Sequence, residues 1–169
     1  MQKIVPCLWF NDQASEAAKM YIDIFNGAPG SRKKSQIGHA STYDEASAEV
    51  SGQKEGSTMT VPFTLDGQEF LGLNGGPMFK FTEAVSFTID CKDQKEVDYF
   101  WDKLIAGGGK PSQCGWLKDK FGLSWQVVPE ALVKLMGDPD EEKAGRVMKA
   151  MLEMTKIDVA GLEAAYNGK

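Results

Sequence analysis

Two stretches of this chain carry the same apolar pattern 80 positions apart. Ala17, Met20, Tyr21, Ile24 and Phe25 line up with Val97, Phe100, Trp101, Leu104 and Ile105, and Gly27 lines up with Gly107. Within each stretch the apolar residues recur at helical spacing, so each predicts an amphipathic helix with one apolar stripe. The first stripe also takes in Ala14, Ala18 and Ile22. Asp12 is its expected N-cap, and Gly27 stands where a left-handed residue would end it. The second helix is introduced by Asp93-Gln94-Lys95-Glu96, close to a capping box, and stops at Gly107-Gly108-Gly109.

An alternating strand precedes each helix. In IVPCLWF, Ile4, Pro6, Leu8 and Phe10 share one face and Val5, Cys7 and Trp9 the other. In AVSFTIDC, Val85, Phe87, Ile89 and Cys91 oppose Ser86, Thr88 and Asp90. Strand-like segments follow each helix. The first half offers SRKKSQIGHAS and then STMTVPFTLDGQEFLGLNGG, with a hairpin turn at Asp66-Gly67. The second half offers QCGWLKDKFGLSWQVVP, turning at Asp119 to Gly122. Asp66 through Leu73 is the counterpart of Gly122 through Val127. The chain therefore reads as a tandem copy of a strand-helix-strand-strand-strand unit.

Two pieces fall outside the repeat. Residues 41–57, STYDEASAEVSGQKEGS, read as a polar, mobile loop. After Pro129 three helical segments are expected. PEALVKLM is the first. The second opens on Asp138-Pro139-Asp140-Glu141 with proline at its first helical position, and carries Ala144, Val147, Met148, Met151 and Leu152 as its stripe. The last follows Asp158. Such a stripe suits a core or a subunit interface.

Charge and cysteine usage narrow the function classes. A net charge of -5 and a pI near 5.0 argue against nucleic acid and against anionic membranes as partners. Arg32-Lys33-Lys34 is a lone basic run, read as a solvated strand end. Cys7, Cys91 and Cys114 are too few and too scattered for a disulfide framework, so free thiols in a reducing cytoplasm are expected. The N-terminal stretch lacks a signal pattern, and no apolar run reaches transmembrane length. A cytoplasmic location is the expectation.

Paired βαβββ units, carried by PCLWFNDQASEAAKMYIDIF, GSTMTVPFTLDGQEFLGLNGGPMFKFTEAVSFTIDC and QCGWLKDKFGLSWQVVP, resemble the vicinal oxygen chelate superfamily of glyoxalases, dioxygenases and bleomycin-resistance proteins. More closely, the chain resembles its PhnB-like group, labelled 3-demethylubiquinone-9 3-methyltransferase domain. The tail DPDEEKAGRVMKAMLEMTKIDVAGLE is similar to that of longer members. The resemblance implies an α+β fold of tandem βαβββ modules with a C-terminal helical extension. One domain over residues 1–169 would comprise module one at about 1–76, module two at about 82–129 and the extension at 130–169. It also implies a homodimer, and sheets curled around a pocket with the helices outside. Leu8, Phe10, Phe87 and Ile89 would then meet the helices, while Cys7, Trp9, Ser86, Thr88, Ser124 and Gln126 line the inner face.

Metalloenzymes of the superfamily hold a divalent ion with His and Glu on four inner strand positions. Carried over, those positions fall on Cys7, Gln126, Ser86, and Leu71 or Gly72, none a histidine or carboxylate. A thiol and an amide make a poor site for a cation that wants several charged or imidazole ligands. Glu69 and Glu83 would come inward only with a shifted register, and His39, the single histidine, lies on another predicted strand. No cofactor is therefore expected, with a divalent metal as the alternative. An S-adenosylmethionine site normally needs a strand, a Gly-rich loop and a helix, and neither Gly72-Leu73-Asn74-Gly75-Gly76-Pro77 nor Gly107-Gly108-Gly109 stands in that context.

The expected function is metal-independent binding of a small molecule. Its expected contacts are Cys7, Trp9, Asn74, Phe79, Phe81, Trp116 and Gln126, an aromatic and amide set suited to a partly aromatic ligand. Core packing competes for the tryptophans, and a turn role competes for Asn74. The alternative is a superfamily enzyme (a lyase, dioxygenase or the labelled methyltransferase) using a recruited divalent metal.

Overall fold

A computed structural model describes residues 2–169. The chain divides into two compact units, the first ending at Phe81 and the second spanning Thr82–Lys169. Both are built on the expected βαβββ plan, giving an α+β fold with a C-terminal helical extension.

The first unit contains β1 (Cys7–Phe10), α1 (Ala14–Gly27), β2 (Gln36–Ile37), β3 (Ser41–Thr42), α2 (Glu45–Ser51), β4 (Thr58–Leu65) and β5 (Gln68–Asn74). Its sheet runs β1-β5-β4-β2, with β3 also pairing β4. β1 and β5 are parallel and the remaining pairs antiparallel. α1 buries Ala14, Ala17, Ala18, Tyr21 and Ile24 against one face of this sheet. Small residues set the distance: a Cβ on Gly72 would stand 3.0 Å from that of Ala14. Phe63 and Phe70, paired in register and stacked at 5.3 Å, fill the same layer.

Several local expectations change. Asp12 is not the N-cap of α1; Gln13 holds that position without a side-chain bond. Asn74 Oδ1 accepts from Ala14 N instead, at 2.8 Å. Parallel pairing puts the end of β5 beside the end of β1, where α1 begins, so a residue distant in sequence does the capping. Gly27 is the last helical residue, followed by extended Ala28, and is not among the positive-φ glycines. Residues 41–57 are ordered rather than a loop throughout. Asp44 and Ser47 form a capping box on α2, left-handed Gly52 ends it, and Tyr43 is buried with its hydroxyl donating to Asn74 O at 2.7 Å. Local capping outweighs the polarity of the segment.

The second unit contains β6 (Ser86–Cys91), α3 (Gln94–Ile105), β7 (Lys110–Pro111), β8 (Trp116–Lys118), β9 (Ser124–Pro129), α4 (Glu130–Met136), α5 (Glu141–Leu152) and α6 (Val159–Tyr166). Its sheet runs β6-β9-β8-β7, again with the first and last strands parallel. α3 buries Val97, Phe100, Trp101 and Leu104, each large apolar side chain contributing roughly 1.5–3 kcal/mol. Asp93 caps it by accepting from Lys95 N and Glu96 N. Glu96 reaches back to Lys92 N, one residue short of a standard box.

The extension forms its own core of Leu132, Val147, Ile157 and Leu162, packed also with Val128 of β9. Asp140 is the N-cap of α5, which leaves Pro139 just outside the helix rather than at its first position. Of the expected α5 stripe, Val147 is fully buried whereas Met148 and Leu152 are exposed. The extension grips the sheet unit at two places. Met154 O and Thr155 O accept from Cys114 N and Gly115 N, at 2.7 and 2.8 Å. Gln94 of α3 donates to Ile157 O and accepts from Val159 N.

The turn between β8 and β9 is held by a buried carboxylate. Asp119 Oδ1 accepts from Phe121 N (2.9 Å) and Leu123 N (3.1 Å), and Oδ2 accepts from Trp125 Nε1 at 2.9 Å. Asp119→Ala would strand three donors, two of them from buried residues, so it is expected to lower unfolding stability by about 2–4 kcal/mol. Asp119→Asn, which keeps an acceptor oxygen, should lose less. Denaturant unfolding of the two variants beside the parent measures both.

Candidate functional site

Alternation and one-sided helix packing fix which residues each sheet leaves on its other face. In β9, Trp125 and Val127 are buried on the α3 side, so Ser124, Gln126 and Val128 point away. In β8, buried Leu117 faces the helix and Trp116 and Lys118 do not. β6 contributes Ser86 and Thr88 to that same face. Cross-strand register sorts them into two rows: Trp116, Gln126 and Thr88 in one, and Lys118, Ser124 and Ser86 in the next. Gln126 Nε2 donates to Ser86 Oγ across the rows at 2.9 Å. Lys118 forms an ion pair with Glu83, whose carboxyl is held below the usual range first by that hydrogen bond. Ser124 Oγ is buried and has no hydrogen-bond partner among the described residues. An unmatched buried hydroxyl of this kind costs about 1–3 kcal/mol.

The first sheet's corresponding face carries Cys7 and Trp9 of β1 with Glu69, Leu71 and Leu73 of β5. Trp9 is wedged in place. Its Nε1 donates to Gly76 O at 2.8 Å, and Phe79 meets it edge-on at 4.9 Å. A Cβ on Gly75 would fall 2.2 Å from the indole, so only glycine fits there. Cys7 is exposed, yet partial burial of its thiol raises the pKa. Cys91, at the helix side of β6, is pushed up to about 12 by burial and by the neighbouring acids. Cys7, Cys91 and Cys114 are unpaired.

The expected contact residues divide accordingly. Cys7 and Trp9 share one sheet face in the first unit, as Trp116 and Gln126 do in the second. Asn74 must be corrected: it lies on the helix side, buried, with Oδ1 capping α1 and Nδ2 donating to Thr58 O at 3.1 Å. Its burial and these two bonds commit the side chain to holding the start of α1 and the end of β5. Phe79 is exposed beside Trp9, whereas Phe81 packs edge-on against the core residue Phe10 at 5.2 Å. Lys118 was missed, although alternation through Trp116-Leu117-Lys118 puts it on the tryptophan's side.

The positions equivalent to metal ligands also shift. Gly72 faces α1, which leaves Leu71, the register partner of Cys7. Pairing Thr88 with Gln126 makes Thr88 the counterpart of Cys7, 81 positions on, with Ser86 one step along the same face. The strand copies are thus one residue out of step with the helix copies, because the connection before α3 is shorter. The donors at these positions are the Cys7 thiol, whose pKa is raised, the Thr88 hydroxyl and the Gln126 amide already engaged, with Glu69 on the Cys7 face hydrogen-bonded to Gln2 N. Among the described residues no three His, Cys, Asp or Glu side chains converge to hold an ion. By donor chemistry the set does not fit a catalytic divalent cation.

The sequence model of a family described as 3-demethylubiquinone-9 3-methyltransferase matches residues 2–128. The chain belongs to that family. The two units have the paired βαβββ plan of the vicinal oxygen chelate superfamily. Among solved structures, a putative 3-demethylubiquinone-9 3-methyltransferase, the PhnB protein of Bacillus cereus, is 33% identical at a TM-score of 0.62, covering 76% of this chain and 99% of its own. A Pseudomonas aeruginosa protein shares the fold at 16% identity and a TM-score of 0.57, covering 77% and 98%. No protein of curated function gives a significant match. The family match stops just before α4, so the extension and its core lie beyond it.

Two measurements follow from this geometry. Gly75→Ala should expel the Trp9 indole from its wedge. The expected outcomes are a red-shifted emission from Trp9 and a stability loss of about 1–3 kcal/mol; unchanged fluorescence would mean the loop yields instead. A raised thiol pKa delays thiolate formation, so alkylation of Cys7 should continue to accelerate above pH 9, where an unperturbed thiol levels off. Timed iodoacetamide labelling of a variant retaining only Cys7 checks this.

Proposed function

We propose that this protein binds a small organic molecule without a metal, using the face that the second unit's sheet turns away from α3. The observation that carries the reading is the Gln126–Ser86 hydrogen bond. It engages Gln126, at one of the strand positions where the resemblance puts an ion ligand, with a neutral hydroxyl one step along the same face. Trp116 supplies aromatic surface beside the polar atoms of Gln126 and Thr88, the usual composition of a small-molecule site.

The family's name describes a methyltransferase, and transfer from S-adenosylmethionine would ask for a Gly-rich loop opening a helix. Here the loop after β5 leads to β6, and Gly107 to Gly109 follow α3. The name therefore adds no assignment of reaction. A second reading, a superfamily enzyme with a recruited ion, has one observation behind it: Cys7 and Glu69 share a face of the β1–β5 pair. Glu69 there accepts from Gln2 N at 2.8 Å.

A homodimer in a reducing compartment completes the proposal. The superfamily resemblance supports the dimer and the unpaired thiols support the compartment. Among the described residues no helix is long and apolar enough to cross a membrane.

Elemental analysis of tag-free protein purified without chelator separates the two readings. Substoichiometric zinc, iron, manganese and nickel are expected. One equivalent of any of them, lost in Cys7→Ala, would replace binding with the metalloenzyme reading. Light scattering at micromolar concentration should return twice the 18.5 kDa chain mass.

A further inference from the structure

Resting on the binding reading above, we propose that the second sheet's face turned away from α3 takes a small aromatic acid where Ser124 is covered only by movable side chains, with its ring against Trp116 and its carboxylate received by Ser124 Oγ and Lys118 Nζ. The starting point is the unmatched Ser124 hydroxyl. A serine hydroxyl offers one donor and two acceptor sites. One sealed from water with none of them used marks a missing partner or a retained cost.

Its neighbours specify the partner. Ser124 stands in register between Lys118 of β8 and Ser86 of β6. Ser86 already accepts from Gln126 Nε2. What this row still presents to a ligand is therefore a hydroxyl donor and an ammonium, which together call for an acceptor carrying negative charge. A cationic ligand would find only Glu83, which is not in register with Ser124 and is the more exposed partner of the Lys118 pair.

That ion pair does not bar an anion. The Glu83 side chain is 66% exposed against 33% for Lys118. A surface pair contributes little and water readily takes over the acid, so a ligand carboxylate can replace Glu83 on the ammonium while Glu83 turns to solvent. The buried hydroxyl beside it gives the incoming anion a hydrogen bond shielded from water, which a mobile surface lysine alone cannot.

The ring requirement comes from the next row. Trp116 is two residues before Lys118 on the same strand and the same face, roughly 7 Å along it. An aromatic group joined directly to a carboxylate spans that step, the ring meeting the indole and the oxygens meeting Ser124 and Lys118. Polar groups of Gln126 and Thr88 border the ring position in register.

The test compares 2-naphthoate with 2-naphthamide, which share a ring system and differ in charge, by calorimetry and by following the Trp116 indole N–H in NMR on the full chain. Naphthoate is expected to bind about tenfold more tightly. Lys118→Met should remove most of that advantage, and Ser124→Ala should weaken the acid more than the amide, because the hydroxyl donates more strongly to a charged acceptor. Ser124→Ala should also raise the melting temperature of the free protein, since it deletes an unmatched buried hydroxyl. Equal affinity for acid and amide overturns the anion assignment and leaves small-molecule binding standing. An acid preference that survives both substitutions overturns the assignment of the site. Failure of both compounds to bind, at millimolar concentration, sinks the aromatic-acid proposal and removes support for binding at this face.

Discussion

One-sided burial of each sheet is the constraint on which the rest depends. A strand shows alternate residues to opposite faces, and a single helix can cover only one of them. α1 and α3 take Phe70, Gly72, Trp125 and Val127. The remaining positions are free of the demand to be large and apolar, which is why Cys7, Ser86, Thr88, Ser124 and Gln126 can stand in the middle of strands. A one-residue slip in β9 would send Gln126 into the helix layer and Trp125 out of it. Asp119 guards against that slip by tying the turn backbone and the Trp125 indole to one carboxylate.

The two units meet this constraint with different side chains. In the first, the helix contributes alanines and comes close enough to touch Gly72, while the sheet supplies the aromatic bulk through Phe63 and Phe70. In the second, bulk sits on the helix as Phe100, Trp101 and Leu104, and Val127 replaces the glycine. Total volume in the layer is what must be conserved, and it can be divided either way. This freedom explains how the copies keep one topology although the aligned stripe positions share apolar character rather than residue identity.

Much of this was legible because periodicity is local. The stripes of α1 and α3, the faces of β6 and β9, and the turns at Asp66 and Asp119 all follow from neighbours in sequence. What was not legible depends on partners far along the chain. Asn74 reads as a turn or ligand residue until parallel pairing brings it to the start of α1, 60 positions earlier. The segment from Ser41 reads as a loop because its polar residues hide a capping box and the burial of Tyr43. The helix repeat of 80 positions cannot be carried to the strands, since it would set Cys7 against Phe87 on the helix side, and only register shows that Thr88 rather than Ser86 matches Cys7.

The contrast between Asp119 and Ser124 bears on where function resides. Both are buried polar residues at the edge of the same hairpin. Every group around Asp119 is matched: each oxygen accepts, and the donors it meets would otherwise be stranded. Ser124 differs in having nothing to meet, although Lys118 and Ser86 are its register neighbours and an alanine would fill the same space. A fold indifferent to ligands has no use for that hydroxyl, since removing it costs no bond. Local inconsistency of this kind concentrates at sites shaped for something outside the chain. The same sheet face carries Trp116 and the exchangeable Lys118–Glu83 pair, so the unmatched atom stands beside the groups that an anionic aromatic guest would use.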